Sequence, residues 1–312
     1  MLYPRRFSPV FSAAVSATCL AVAAADAAAQ ETRQPTRQAS NVDAHGKPSR
    51  PVAQPLTVDP KLETVLQTWG QRSARVRKLT GNHARFIYQK ASDVERRGVG
   101  SFAFESPDRG MLKVLPAELK EGTVSKKIGA NGEPLRVVAD EPEKWVCDGE
   151  QILQMEVSLG EPQYSRVEIP PRMRGENIIQ GPMPFLFGVS AEELKKRYRM
   201  HLGDRHTWQP ETSAGEVHVV AYPLRKVDAQ SWQRADVILD GRSFLPLVIR
   251  MMDGHDQWAS ETVYRFDPST FEVNKRQWPW KANPFKPNLK GWTLIENHVA
   301  DEEQMRRMAP PK

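Results

Sequence analysis

"EKWVCDGEQILQME", residues 143–156, decides how the rest of this chain is read. Apolar and polar residues alternate on either side of Asp148-Gly149, a dipeptide that supplies the positive φ angle of a tight hairpin. The stretch therefore reads as two antiparallel strands. With a two-residue turn, Trp145 faces Ile152, and Val146 shares the other face with Leu153, Met155 and Val157. Cys147 then ends the first strand. A thiol nucleophile needs a base or a cation to lower its pKa, whereas the neighbours here are Asp148 and Glu150, which raise it. Cys147 is read as a strand-end residue and not as a nucleophile.

The same period of two runs outward from this hairpin. "HARFIYQKA", "GVGSFAFES", "GMLKVL", "LRVVA", "YSRVEI", "EVHVVAYPL", "ADVILD", "FLPLVIRMM" and "ASETVYRF" are short and mostly alternating. Asn131-Gly132, Asp240-Gly241 and Asp253-Gly254 are three further turn signals. Strands do not alternate with long helices, which argues against a parallel α/β fold. The expected class is mainly β with helices (α+β): an antiparallel sheet with one apolar face that must be covered.

Two helices are available as covers. Asp59 caps the first and Pro60 fits its opening turn. Leu62, Val65, Leu66, Trp69, Val76 and Leu79 trace one face of it, so a helix is expected over 59–79, weakened at Gly70. The second is expected over 190–197, where Ser190 and Glu193 form a capping box. Phe185-Leu186-Phe187 forms an apolar knob ahead of it.

The N-terminal residues have a different character. Arg5-Arg6, an apolar run from Phe11 to Ala25 and small residues up to Ala29 make a secretory signal pattern, residues 1–29. Gln, Pro, Ser, Thr and Arg dominate residues 30–56, a composition that cannot offset its own ordering entropy. A periplasmic or otherwise exported protein is expected, soluble after cleavage, with its folded domain over 57–275. Of the two cysteines, Cys19 lies in the signal, so no internal disulfide is expected and the core must fold unaided.

Little in the sequence speaks for catalysis. The seven histidines form no H-E-x-x-H, and there is no Cys-x-x-Cys. No G-x-S-x-G elbow or phosphate loop appears. The formal charge of +6 is spread out, with no nucleic-acid motif beside it. No enzyme, cofactor, metal or nucleic-acid partner is expected. The apolar faces point to one of two things, a packed core or an apolar hollow. The residues that would line the hollow are Phe102, Phe104, Leu112, Val114, Val146, Leu153, Met155, Val157, Phe185 and Leu186, with Leu62, Leu66 and Trp69 as its lid.

The order "GVGSFAFESPDRGMLKV", "VCDGEQILQM", "PMPFLFG", a short helix with "YRMHL", "VVAYPLRK" and "ADVILDGRSFLPLVIRMMDGHDQWASETVYRF", closed by Asp267-Pro268-Ser269-Thr270-Phe271, resembles the periplasmic lipoprotein carriers, the LolA/LolB-like family. The resemblance covers roughly residues 58–275. It implies an incomplete antiparallel β-barrel covered by helices, with an apolar hollow for lipid or lipoprotein acyl chains. Carriers place an arginine just before the turn proline, where this chain has Ser106, which separates lipid binding from lipoprotein transfer. Residues 276–312 form a basic extension rich in Trp and Pro, in which Trp278, Trp280 and Trp292 either rest at a membrane interface or wrap the sheet. The carrier reading stands beside a second, an exported module that docks an envelope membrane or membrane-protein partner on the same scaffold.

Overall fold

The computed structural model describes residues 59–158, 160–171, 174, 185, 190–203, 215–224, 228–229, 232–253, 260–275 and 283–299. The segments expected to be signal and spacer, and Leu186, Phe187, Trp278 and Trp280, lie outside them.

Helix α1, Pro60–Ser73, starts as the sequence predicts: Asp59 accepts the Lys61 amide at 2.9 Å and proline occupies the first turn. It ends earlier than expected. Lys78 already opens strand β1, Lys78–Gln89, so Val76 and Leu79 are not on the helix. Their helical spacing was a coincidence overridden by pairing, because β1 is hydrogen-bonded along its length to neighbours on both sides. The second helix, α2, Ala191–Arg197, carries the expected reciprocal capping box.

The other strands are β2 (Val94–Glu105), β3 (Arg109–Pro116), β4 (Arg136–Ala139), β5 (Glu143–Cys147), β6 (Gln151–Ser158), β7 (Glu161–Glu168), β8 (Tyr198–Leu202), β9 (Val217–Pro223), β10 (Arg234–Leu239), β11 (Pro246–Asp253), β12 (Ser260–Val273) and β13 (Thr293–Val299). The described strands form one sheet in the order β13-β7-β6-β5-β3-β2-β1-β12-β11-β10-β9-β8. The pairing is antiparallel except at β13–β7 and β4–β2. β4 continues the line of β3: it pairs with the first residues of β2, and β3 pairs with the rest.

Two meanders meet at the central pair β1–β12. The first runs outward from β1 to β7, and the second returns from the far edge, β8, to β12. The chain between β7 and β8 must pass from one half of the sheet to the other, and it carries Phe185 and α2. Apolar residues from α1, α2, Phe185 and strands of both halves share one cluster. The sheet is therefore curved around its helices, an incomplete antiparallel barrel with its ends unjoined.

The opening hairpin keeps its faces but shifts its register. Cys147 pairs with Ile152, Val146 with Leu153 and Trp145 with Gln154. The turn is centred one residue later than expected: Gly149 takes the positive φ of 94°, and Asp148 Oδ1 accepts the amides of Glu150 and Gln151. Asp240-Gly241 also departs from a two-residue turn. The left-handed residue there is Phe244, and the loop closes through the Phe244 amide to Asp240 O and the Asp240 amide to Leu245 O.

Candidate functional site: a concave apolar face roofed by two helices

The concave face follows from alternation along each strand. Leu79 on β1, Phe102 and Phe104 on β2, Leu112 on β3, Cys147 on β5, and Tyr264 and Phe266 on β12 turn the same way. Val219, Ala221, Val237, Leu239 and Ile249 extend the face across β9, β10 and β11. Leu62, Leu66 and Trp69 descend from α1, and Leu194 from α2; all four are at most 4% exposed. Phe185, Tyr198 and Trp232 close one side, with ring centroids 5.3–5.8 Å apart.

The roof is attached lightly. Among the described residues, no hydrogen bond joins α1 to a strand. The helices meet each other through Lys195 and Glu63 at 3.0 Å, and through a close approach at Gly70. A Cβ there would lie 3.1 Å from the Ala191 amide nitrogen. Gly70 therefore has a packing role. The segment that joins the roof to the sheet is residues 75–78, where Asn274 clasps the chain between α1 and β1. Its Oδ1 accepts the Arg77 and Lys78 amides at 2.7 and 3.0 Å, and its Nδ2 donates to Arg75 O at 2.8 Å.

At one end the face becomes polar. Arg85, 7% exposed, donates to Asp140 at 2.7 Å and to Glu143. Burial alone would lower the Arg85 pKa, but the two carboxylates outweigh it and hold the guanidinium charged. His83 stands between this ion cluster and the aromatic wall, with Phe102, Tyr264 and Phe266 at 5.9–6.5 Å. Burial, assisted by Arg85, pulls its pKa down to about 4, and neither ring nitrogen finds a partner.

The expected lining set does not stay together. Phe102, Phe104, Leu112, Phe185, Leu62, Leu66 and Trp69 share the concave cluster. Val114 is buried on the same side of β3 as Leu112, toward Gly98 and Asp140. Val146, Leu153 and Met155 lie on the opposite face, with Ala103, Met111, Tyr164 and Phe285. Val157, half-buried, shares their side of β6, and Leu186 lies outside the described residues. The register between β3 and β5 explains the split: Met111 is opposite Val146, and Leu112 is opposite Trp145. The long connection between these strands leaves no sequence signal for which residues pair.

Sequence reasoning missed Trp232, Tyr264 and Phe266 as part of the face. The alternation in "VYRF" was a usable sign for Tyr264 and Phe266; for Trp232, in a connection, there was none. Cys147 is 2% exposed, donates its Sγ–H to Asp108 O at 3.1 Å, and has its pKa pushed up to about 12 by burial and by Asp108 and Asp148. It remains a thiol at neutral pH, which removes it as a nucleophile. Residues 285–292 cover one patch of the outer face: Phe285 is buried there, and Leu289 and Trp292 pack beside it. For Trp292 the sheet-wrapping alternative holds. No group of three or more metal-ligating side chains occurs among the described residues, and no described helix is long and apolar enough to cross a membrane.

No family model and no curated protein matches the sequence. Among solved structures the chain is similar to a LolA superfamily protein from Nitrosomonas europaea, with 9% identity and a TM-score of 0.30, over 68% of this chain and 94% of that one. It is similar to a putative outer membrane lipoprotein-sorting protein domain from Vibrio parahaemolyticus, with 10% identity and a TM-score of 0.29, over 69% and 93%. It is also similar to the Pseudomonas aeruginosa MucA/MucB complex structure, with 12% identity and a TM-score of 0.32, over 69% and 59%. Likeness at this level carries no functional argument; the fold class rests on the strand order and register themselves.

Proposed function

We propose that this chain is an exported, non-catalytic binding protein that holds an apolar chain, such as a lipid or lipoprotein acyl group, between the concave face and its helical roof. The observation that carries the reading is the way α1 is held. Leu62, Leu66 and Trp69 seat it on the sheet by apolar contact, with no described hydrogen bond to a strand, and an acyl chain offers the sheet the same contact. Displacing α1 exchanges one apolar surface for another and breaks the Lys195–Glu63 pair but no described hydrogen bond to a strand. The order of motifs that resembles the lipoprotein carriers supports the same reading.

The second reading, a module that docks an envelope partner, is favoured by a different observation. The concave side chains are already buried against one another, with Leu66 and Ala221 at 0% exposure. Organic extraction of the purified protein, followed by mass spectrometry, separates the two. Acyl chains in amounts comparable to the protein, together with saturable uptake of a fluorescent fatty acid, are the expected result. Empty extracts and no uptake by well-folded protein would overturn the carrier reading in favour of docking.

A further inference from the structure

The outer face of the sheet holds a separate trough of about 730 Å³. The strand segments 82–84 and 99–101 form its floor, Lys113 and Leu115 one wall, and residues 265–268 the other. The second wall exists because β12 bulges: Thr80 pairs with Glu272, but Asn82 pairs with Asp267, so residues 268–271 are extra against Gly81. Such bulges raise one strand out of the sheet and recur beside binding sites. This one is firmly held. Asn82 N donates to Thr270 Oγ1 at 2.9 Å, Thr270 Oγ1 donates to Asp267 O at 2.7 Å, and Ser269 donates twice to Asp267 Oδ1.

Two kinds of surface meet in the trough. Val99 and Leu115 are directly paired across β2 and β3, yet they remain 46% and 41% exposed. Beside them, Lys113 stands opposite Lys144 across β3 and β5. Like charges in directly opposed positions repel, and among the described residues neither lysine has an ion-pair partner. Burial, and then Lys113, hold the Lys144 ammonium below its usual pKa. Arg265 supplies a third cation, on the far wall, with its guanidinium 5.8 Å from the Phe86 ring centroid. The one carboxylate in the lining, Asp267, is engaged by Ser269.

We propose that this trough binds a single-chain amphiphile with an anionic head, its apolar chain laid over Val99 and Leu115 and its head placed against Lys113 and Arg265. An anion there relieves the Lys113–Lys144 repulsion, and the chain covers the exposed pair. The volume falls in the range of small-molecule sites. The trough lies on the face opposite the helical roof, so the proposal is independent of the concave site.

The test uses the full chain with labelled Val and Leu methyl groups, titrated with decyl phosphate, decanol and inorganic phosphate and followed by NMR. Decyl phosphate is expected to shift the Val99 and Leu115 methyl signals saturably. Decanol and inorganic phosphate are each expected to bind roughly tenfold more weakly or worse, because each supplies half of the recognition. Lys113→Glu and Val99→Asp, both at exposed positions, should each weaken decyl phosphate by about tenfold, whereas Leu66→Ala beneath the roof should not. Equal binding of decanol would reduce the trough to a greasy patch, and equal binding of inorganic phosphate to an anion site; either overturns the proposal. So does unchanged affinity in folded Lys113→Glu, or decyl phosphate shifts confined to concave-face methyls.

Discussion

His83 shows how a single side chain ties stability to pH. In the folded protein its pKa is about 4, against 6.5 for the free side chain, because Phe102, Tyr264 and Phe266 exclude water and Arg85 repels a proton. Between these values the unfolded chain binds a proton that the folded chain refuses. Stability contributed by neutral His83 is therefore complete above pH 6.5 and is lost as the pH falls toward 4, by about 3 kcal/mol at most. Urea midpoints measured at pH 7 and pH 4.5 should fall steeply for the native sequence and less steeply for His83→Phe. Parallel pH dependences would mean that the acid sensitivity arises elsewhere. Nothing in the sequence marked His83. It stood in an alternating strand like any other polar residue, and its isolation is made by rings from β2 and β12. Cys147 was more legible, because the acidic residues that help hold its thiol protonated include its immediate neighbour.

At the scale of elements, legibility followed the range of the interaction. Both helix starts were readable because a cap is a local contract between residues two or three apart: Asp59 with Lys61, and Ser190 with Glu193. The end of α1 was not, since it is set by β1 pairing with β12 far along the chain. The weak point assigned to Gly70 meets the same limit. A glycine in a helix signals either a hinge or a close approach, and only the position of Ala191 distinguishes them. The clasp made by Asn274 spans 197 positions and had no local sign. Its left-handed backbone, φ 55°, brings one side-chain amide to three main-chain groups. Asn274→Ala removes these bonds and should raise the exchange rates of α1 amide hydrogens by about tenfold. Native exchange rates in folded Asn274→Ala would mean that α1 is not held through this clasp.

For the whole molecule, the mainly antiparallel class was legible because period-two alternation and turn dipeptides repeat along most of the folded chain. The site was legible in part. Phe102 with Phe104, and Leu112 with Val114, each lie within one strand, where alternation fixes the face. Grouping them with Val146, Leu153 and Met155 needed a register across the β3–β5 connection, which composition does not carry. Those three residues belong instead to an outer core sealed by Phe285, Leu289 and Trp292. Ending the chain at residue 275 should therefore do more than trim a tail. It uncovers Met111, Val146, Leu153 and Met155 and leaves β7 without its outer partner. The shortened protein is expected to bind a hydrophobic dye and to unfold at a lower urea concentration; a monomer of native stability would show that the outer cluster holds without its cover. The parallel addition of β13 to β7 also has a consequence in time. Synthesis delivers β7 well before β13, so throughout that interval β7 is a bare strand edge able to recruit a neighbouring molecule. Its sequence is suited to the wait: Arg166 and Glu168, in the stretch that β13 later pairs, and Glu161 just before it put charge along that edge.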